Sequence, residues 1–393
     1  RNIILIFLII FNINGYSQFY SQEDINEAKD MAAICNSFTF LNLYNSDAAI
    51  IPKGYKKTFT SGMFGMDNKY QVYQSEKKAV ISFRGSTAKT ISWMENIYSS
   101  MVPAKGEIIM KDDTFSYQFA TDTSAGVHAG YALGFAFLAK DVIHHIKSLN
   151  HDGIYEITIT GHSQGGALAI LLRAYLEHLP KGVISDKNRF KTYAFANPKV
   201  GNAAFVNDYI DKCEKGTNYS IVNVKDFVPK MPLSVNNDKK VSTTTSFSKL
   251  MFDKSYTFKD AAGGALLNMF GGSIRGLMSH ASSSAFKKIT KKVGGVKMPK
   301  YIDNNDYAVM GNRIELREFE YPKILKDPTI LENDKLMAHY KRKENGDFED
   351  ESLYKSAPTL FQHKPYNYYA ALLKKYDPKE YDRLKIKILP ENL

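Results

Sequence analysis

The segment from residue 155 to residue 172 constrains the fold more than any other part of this chain. Residues 156–160 alternate between polar and apolar side chains, as a β-strand does, and residues 167–176 are mostly apolar, as in a buried helix. The sequence Gly-His-Ser-Gln-Gly occupies residues 161–165 between them. A strand, a tight turn and a helix in this order predict a nucleophile elbow, in which a Cβ on either glycine would collide with nearby backbone. The hydroxyl of Ser163 is then held at the tip of the turn, beside the positive N-terminal end of the helix.

A serine nucleophile needs a base, and the base needs an acid that orients it. In the α/β-hydrolase arrangement the acid and then the histidine follow the serine along the chain. Asp226 comes just after a predicted strand at residues 219–224, so we expect it at the carboxyl edge of the sheet, together with Ser163. Asp208 and Asp211 fall on a predicted helix and are weaker candidates for the acid.

Three histidines follow Asp226 and are candidates for the base. His363 is favoured because it precedes a Tyr- and Leu-rich segment, residues 366–376, that is predicted to form a helix packed on the sheet. His339, in a charged stretch, is the second candidate, and His280, inside a predicted insertion, is the third.

The size and charge of the chain limit its class and its partners. It has 393 residues, of which 44% are hydrophobic, so it can bury a large core. The formal net charge is +11, with Lys-rich stretches around residues 286–300 and 372–387. No nucleic-acid-binding module is recognisable, so we expect no nucleic acid as a partner. An anionic lipid or an acidic cell surface suits the charge at least as well, and most of the charge is expected to be solvated surface.

The N-terminal residues predict export. A positive residue precedes the apolar run at residues 3–11, which is short for a membrane span, and small residues follow at Gly15 and Ser17. This pattern predicts a secretory signal peptide at residues 1–17, with residues 18–393 as a single mature domain that is secreted or periplasmic. The alternative is an uncleaved membrane anchor.

The chain has two cysteines, Cys35 and Cys213. In an exported protein they could form one disulfide, or they could be two buried free thiols, and the spacing does not decide between these. There is no Cys-x-x-Cys and no His/Cys cluster, so the sequence proposes no metal.

From about Asp30 to Tyr376 the chain resembles the class 3 lipases, the fungal-lipase-like branch of the α/β hydrolases. The resemblance implies an α/β-hydrolase fold, with a mostly parallel central sheet, helices on both faces and a large insertion at about residues 233–304 before the last strand. We expect this insertion to be a cap over the acyl groove, and the alternative is an unstructured loop. Besides the elbow, the matching segments are Val80–Ser86, Thr87–Asn96, Val127–Tyr131, Tyr193–Asn202, Asp226–Pro229, Asp306–Leu316, and His363 with Tyr368.

The resemblance also implies how a developing oxyanion is stabilised. One donor is the backbone N–H of Gln164, and the other is the backbone N–H of Ser86, aided by its hydroxyl. Arg84 is expected to brace this loop through hydrogen bonds and not to bind substrate. His162 is expected to support the elbow and to point away from the site.

A lid over residues 86–101 is the last element that the resemblance implies. Its apolar side chains recur at helical spacing, and Trp93 and Ile97 are the lid residues that we single out. The alternative to a helix that rolls onto a lipid surface is an ordinary core helix. The apolar residues of this segment are Ile91, Trp93, Met94, Ile97 and Met101.

These residues predict a secreted serine lipase or esterase that hydrolyses carboxylic esters of lipids, of the triacylglycerol kind, through Ser163, His363 and Asp226 and an acyl-enzyme. The expected partners are a lipid ester substrate and, transiently, a lipid–water interface or membrane surface. We expect a monomer, and no cofactor is needed. The alternatives are a phospholipase A or membrane-damaging effector, and a catalytically inactive lipid-binding module on the same fold.

Overall fold

The computed structural model describes residues 18–39, 50–232 and 274–390, except for the single positions 88, 305 and 359. The predicted signal peptide and residues 233–273 of the predicted insertion lie outside the described residues. For residues 274–280 only the helical backbone is described.

The described strands form one large sheet and two small antiparallel pairs. In chain order the strands are β1 Lys56–Thr60, β2 Tyr70–Gln74, β3 Lys78–Phe83, β4 Met101–Pro103, β5 Lys105–Ile109, β6 Thr114–Gln118, β7 Gly126–His128, β8 Glu156–His162, β9 Arg189–Phe195, β10 Asn218–Asn223 and β11 Arg313–Leu316. The large sheet has seven strands in the order β1-β2-β3-β8-β9-β10-β11, while β4 pairs with β7 and β5 with β6.

Five strands of the large sheet, β3 and β8 to β11, run parallel to one another. Strands β1 and β2 continue the sheet in antiparallel pairing at one edge. All residues of β10 are buried, as expected for a parallel strand covered on both faces, whereas the residues of the edge strand β1 are all partly or largely exposed.

Helices cover both faces of this sheet. In the described part of the chain the α-helices are α1 Gln22–Thr39, α2 Thr90–Ile97, α3 Ala129–His151, α4 Gln164–Glu177, α5 Ala203–Lys212, α6 Ile274–Val293, α7 Asp334–His339, α8 Pro365–Tyr376 and α9 Pro378–Arg383. Helix α4 packs on β3, β8 and β9 with α3 outside it, and α1 packs with α8 in a separate core on the other face. This arrangement confirms the predicted α/β-hydrolase fold, with a mostly parallel sheet between helices.

The sheet brings distant parts of the sequence to one edge. Strands β3, β8 and β10 are parallel, so their carboxyl ends lie at the same edge of the sheet. Arg84 follows β3, Ser163 follows β8, and Asp226 lies three residues after the end of β10. A site built from these three segments therefore lies where open α/β sheets usually bind their ligands.

The described end of the predicted insertion lies against α2. The hydroxyl of Ser282 in α6 accepts a hydrogen bond from the backbone N–H of Ser100 at 2.9 Å, and the two serine hydroxyls are 2.7 Å apart. The ring of Phe286 stacks on that of Tyr98, with 5.0 Å between the centroids. Helix α6 is thus fixed to the segment that directly follows α2.

The chain makes a long excursion between β11 and His363. This excursion has a small core of its own, formed by Ile330, Phe348 and Tyr354. The last strand of the sheet is shorter than the segment predicted for it, since it begins at Arg313.

The two cysteines are both buried free thiols, which decides between the two alternatives that the sequence left open. Burial raises the pKa of Cys35 to about 12 and that of Cys213 to about 11, so both thiols stay protonated at neutral pH. None of the helices in the described part of the chain is long and apolar enough to span a membrane.

Candidate active site

The turn that carries Ser163 is as tight as its glycines predict. Ser163 has φ +60° and ψ −128°, a backbone conformation that L-residues rarely adopt. A Cβ at Gly161 would lie 2.2 Å from the carbonyl oxygen of Gly165, and a Cβ at Gly165 would lie 2.3 Å from that of Phe83. The predicted collisions are confirmed, and the strain is held by backbone on both sides of the turn.

Three side chains from distant segments form a hydrogen-bonded chain at the edge of the sheet. Nε2 of His363 lies 2.8 Å from Oγ of Ser163, and Nδ1 of the same ring lies 2.7 Å from Oδ2 of Asp226. An ionised carboxylate can only accept hydrogen bonds, so Nδ1 carries the proton and Nε2 accepts the hydroxyl proton of Ser163. His363 was preferred on the sequence because a helix follows it, and α8 begins two residues after it.

Asp226 is buried and both of its carboxylate oxygens accept hydrogen bonds. Tyr368 in α8 donates its hydroxyl to Oδ2 at 2.7 Å, and the backbone N–H of Val228 donates to Oδ1 at 3.0 Å. The Tyr368 hydroxyl also accepts from the backbone N–H of Asn223, which joins the end of β10 to α8. The carboxylate is therefore held in one orientation toward the His363 ring.

The other candidates for acid and base are placed elsewhere or are not described. His339 ends α7 and is exposed. The side chain of His280 lies outside the described residues. Asp208, on α5, accepts hydrogen bonds from Thr121 and lies 3.0 Å from Nε2 of His178.

His162 was expected to point away from the site. Its ring instead lies against that of the base, His363. Its ring centroid is 4.8 Å from that of His363 and 5.4 Å from that of Tyr368. Burial, together with the neighbouring His363, holds the pKa of His162 well below its usual range. A neutral imidazole at this place adds packing around the base without adding a competing charge.

The two predicted oxyanion residues are in direct contact. The hydroxyl of Ser86 donates to Oε1 of Gln164 at 2.7 Å, and Asn96 in α2 donates to both, at 2.9 Å to Ser86 and 3.2 Å to Gln164. The backbone N–H of Gln164 is the first of α4 and has no acceptor within its helix. It is one of the free N–H groups that make a helix N-terminus attractive to negative charge.

Arg84 braces the oxyanion loop, as predicted. Its guanidinium donates to the backbone carbonyl of Asp67 at 2.5 Å and to the carboxylate at 3.1 Å. The same carboxylate accepts from Thr87 at 2.8 Å and from Lys89 at 2.7 Å. These hydrogen bonds and cations keep the pKa of Asp67 below its usual value despite the opposing effect of its burial.

The predicted lid forms a short helix, α2, whose burial is unusual. Trp93 and Ile97 are only partly buried, while the polar side chains of Ser92 and Glu95 are buried almost completely. An ordinary core helix would bury its apolar face instead. Movement of α2 as a lid stays a prediction.

Sequence reasoning missed four of the polar residues at this site. Tyr368 was included in the family resemblance, but its bond to the acid was not foreseen. Asn68, Glu95 and Asn96 were not considered, although a buried carboxylate on a predicted amphipathic helix needs a partner. The available signal was the polar pair Glu95-Asn96 within the otherwise apolar stretch from Trp93 to Tyr98.

Comparison with known proteins agrees with this geometry over part of the chain. Residues 80–236 match the family model described as lipase (class 3). A secreted mono- and diacylglycerol lipase of Malassezia restricta is 28% identical over 164 residues, which are 41% of this chain and 49% of that protein. Secreted mono- and diacylglycerol lipase A of Penicillium camembertii is 35% identical over 105 residues, 26% of this chain and 32% of that protein. The chain thus spans about half the length of the first relative and about a third of the length of the second.

Solved structures that align with this chain include fungal lipases. A triacylglyceride lipase of Rhizomucor miehei aligns with a TM-score of 0.40 and 20% identity, over 54% of this chain and 76% of that one. This overall similarity is low, and the fold assignment depends on the sheet and helices described above. The match over residues 80–236, with the elbow inside it, makes this part of the chain similar to the class 3 lipases.

Proposed function

We propose that this protein is a serine hydrolase of lipid carboxylic esters and that Ser163, His363 and Asp226 are its catalytic triad. The observation that carries the proposal is the hydrogen-bonded chain from the Ser163 hydroxyl through the His363 ring to the Asp226 carboxylate. Its distances of 2.8 and 2.7 Å suit proton transfer without rearrangement.

The reaction follows from the direction of these hydrogen bonds. His363 accepts the Ser163 proton at Nε2 while the serine oxygen attacks the ester carbonyl, and Asp226 stabilises the imidazolium that forms. The imidazolium then protonates the leaving alcohol as the ester C–O bond breaks, which leaves an acyl-serine. A water molecule, deprotonated by His363, attacks the acyl-serine and releases the fatty acid.

The negative charge of each tetrahedral intermediate needs two donors. We assign these to the backbone N–H groups of Gln164, which directly follows Ser163 after β8, and of Ser86, which lies in the loop after the neighbouring strand β3. In the described conformation the Ser86 hydroxyl donates to Gln164, so its hydrogen is directed to that side chain. The backbone donors alone carry the assignment.

The substrate class is proposed from the relatives. Their names describe secreted mono- and diacylglycerol lipases, so we propose that this protein acts on acylglycerols at a lipid–water interface. Secretion by means of residues 1–17, a lid that includes Trp93 and Ile97, and a monomeric state belong to the same proposal.

The nucleophile is tested by Ser163→Ala with a fluorophosphonate probe and a soluble p-nitrophenyl ester. We expect turnover to fall by about 10⁴-fold or more and labelling to vanish, with an unchanged circular dichroism spectrum. A fold without a working serine–histidine pair would leave the wild-type protein unlabelled, which would favour the inactive lipid-binding module.

The base is tested by comparing three single variants, His363→Ala, His339→Ala and His280→Ala. Only His363→Ala should fall to background, since His363 contacts both Ser163 and Asp226 whereas His339 is exposed. Loss of activity in His339→Ala instead would contradict the assignment of the base.

A phospholipase acting on anionic membranes is a second candidate, and one observation favours it. Helix α6 lies beside α2 and exposes four lysines, whereas its Ser282, Ala285 and Ile289 are buried. Residues 274–300 contain no acidic residue. We name Lys287, Lys288, Lys291 and Lys292 together the lysine face.

Vesicles separate the two candidates. A phospholipase recruited by the lysine face should hydrolyse phosphatidylglycerol vesicles faster than phosphatidylcholine vesicles, and a Lys→Gln change of the whole face should remove the difference. An acylglycerol lipase should prefer diacylglycerol emulsions to both. The control is the same Lys→Gln change at four exposed lysines elsewhere: Lys53, Lys56, Lys147 and Lys181.

A further inference from the structure

A carboxyl group is buried behind the oxyanion loop. Glu95 in α2 is 0% exposed. Its Oε2 accepts a hydrogen bond from Nδ2 of Asn68 at 2.7 Å, and its Oε1 has no hydrogen-bond partner among the described residues. Burial raises the pKa of Glu95 to about 8, so at neutral pH most molecules hold it as the neutral acid. A buried carboxyl group that an apolar residue could replace calls for an explanation.

The neighbouring helix leaves space for this carboxyl group. A Cβ at Gly134 in α3 would lie 2.2 Å from Oε1 of Glu95, and a Cβ at Gly130 would lie 2.0 Å from the backbone oxygen of Glu95. Both contacts are shorter than any real Cβ contact. The α3 surface therefore admits α2 and its carboxyl group only because glycines occupy these two positions.

The hydrogen-bonded chain continues from Glu95 to the proposed oxyanion site. Oδ1 of Asn68 accepts from Nε2 of Gln164 at 2.8 Å. The other end of the Gln164 amide, Oε1, accepts from the hydroxyl of Ser86 at 2.7 Å. Four side chains thus connect the buried carboxyl group with both residues whose N–H groups we assign to the oxyanion.

The carboxyl group fixes the donor-to-acceptor direction of the hydrogen bonds that lead from Glu95 to Ser86. Oε2 of Glu95 accepts whether or not the other oxygen carries a proton, so Asn68 must turn its NH₂ toward Glu95 and its oxygen toward Gln164. Gln164 must then turn its NH₂ toward Asn68 and its oxygen toward Ser86. Without an acceptor at position 95, both amides could rotate and leave Ser86 without its acceptor.

We propose that Glu95 is a positioning residue for the oxyanion site, which acts through Asn68 to fix the Gln164 side chain and hence the relative position of Gln164 and Ser86. The proposal rests on the proposed function, because it concerns the geometry of the same two oxyanion donors. Glu95 itself does not touch the substrate.

Two substitutions at position 95 separate positioning from simple packing. Glu95→Leu removes the acceptor and keeps a side chain of similar size, whereas Glu95→Gln keeps an amide oxygen where Oε2 lies. Met94→Ala is the matched control, because Met94 is the buried neighbour on α2 and belongs to the apolar core. All are assayed with a soluble p-nitrophenyl ester and a trifluoromethyl ketone, whose adduct with a serine carries an oxyanion.

For Glu95→Leu we expect kcat to fall by about tenfold or more, KM to stay within about twofold, and ketone affinity to fall in proportion to kcat/KM. Glu95→Gln should keep kcat within about threefold of the wild type. Met94→Ala should lower the melting temperature and leave kcat unchanged. Unchanged kcat in Glu95→Leu, or an equal loss in Met94→Ala, would overturn the proposal.

A double-mutant cycle provides a second test. Gln164→Leu already interrupts the hydrogen bonds between Glu95 and Ser86, so adding Glu95→Leu should cause little further loss of kcat. If the two residues act independently, the fold losses in kcat will multiply, and this result would overturn the proposal. Should Glu95→Leu fail to fold, Asn68→Ser interrupts the same chain and should show the same fall in kcat. An inactive wild-type protein would refute the proposed function, whereas an active one insensitive to these changes would refute only the role of Glu95.

Discussion

Helices α4 and α2 begin at the two loops of the proposed site; α4 buries mainly apolar side chains, whereas α2 buries two polar ones beside Met94. Helix α4 follows the elbow and buries apolar residues such as Leu168 and Leu171, each 0% exposed. Helix α2 follows the oxyanion loop and buries Ser92 and Glu95, while Trp93 stays partly exposed.

The difference separates two ways of holding a loop. Hydrophobic burial is strong but non-directional, so α4 fixes the distance of the elbow from the sheet, and the turn itself fixes the serine. Hydrogen bonds are directional and weaker, so the polar face of α2 fixes angles in the oxyanion loop. Changes to the buried apolar residues of α4 should therefore alter mainly stability, and changes to the buried polar residues of α2 mainly turnover.

The largest effect is expected in the elbow itself, from Gly161→Ala. The added Cβ would lie 2.2 Å from the Gly165 carbonyl oxygen, so the free energy of unfolding should fall by about 5 kcal/mol. Urea denaturation measures this. Gly295→Ala, where nothing lies within 4 Å of an added Cβ, is the control and should change little.

A somewhat smaller effect is expected from Leu171→Ala in α4. Loss of a fully buried leucine should destabilise the protein by about 4 kcal/mol, and kcat of the folded fraction should stay the same. A fall in kcat at a temperature where the variant is fully folded would break the comparison, because α4 would then also control site geometry.

The pH dependence of stability tests the burial of Glu95. Its pKa is raised from 4.5 to about 8 in the folded protein, so between these values the unfolded chain binds fewer protons than the folded one. The free energy of unfolding therefore falls as pH rises through this window, by about 4 kcal/mol, and levels off above it. Glu95→Gln should lack this component. If the free energy of unfolding depends on pH in the same way in the wild type and in Glu95→Gln, the assigned burial of Glu95 is contradicted.

The smallest effect on stability is expected from Trp93→Ala, because Trp93 is only partly buried. We expect a loss of about 1 kcal/mol or less in unfolding free energy. Activity on a soluble ester should be kept and activity on an emulsion should fall, if α2 is the proposed lid. Equal losses of activity on the soluble ester and on the emulsion would argue against a lid. They would indicate that α2 acts only as a support for the oxyanion loop.

Local sequence was sufficient to predict the elbow but not the network behind the oxyanion loop. Gly161 acts on the backbone of Gly165, four residues away, and Asp226 is located by the strand that precedes it, so a single sequence predicts their positions. Glu95 and Asn68 are 27 residues apart and meet only because α2 packs beneath the loop. A glutamate on a short amphipathic helix is normally exposed, so the usual preference of this residue type predicts an exposed Glu95, which is wrong here. The orientation of His162 was mispredicted for a similar reason, since it depends on α8 from the far end of the chain.

The acid and the base touch at 2.7 Å although 137 residues separate them along the chain. The entropy of closing a flexible loop grows only with the logarithm of its length, by about 0.6 kcal/mol for each doubling. A long excursion with its own small core, such as the one around Ile330 and Phe348, therefore adds little entropic cost to the contact between the His363 ring and the Asp226 carboxylate. For chains of this kind, the spacing between a candidate aspartate and a candidate histidine carries far less information than the helix that follows the histidine.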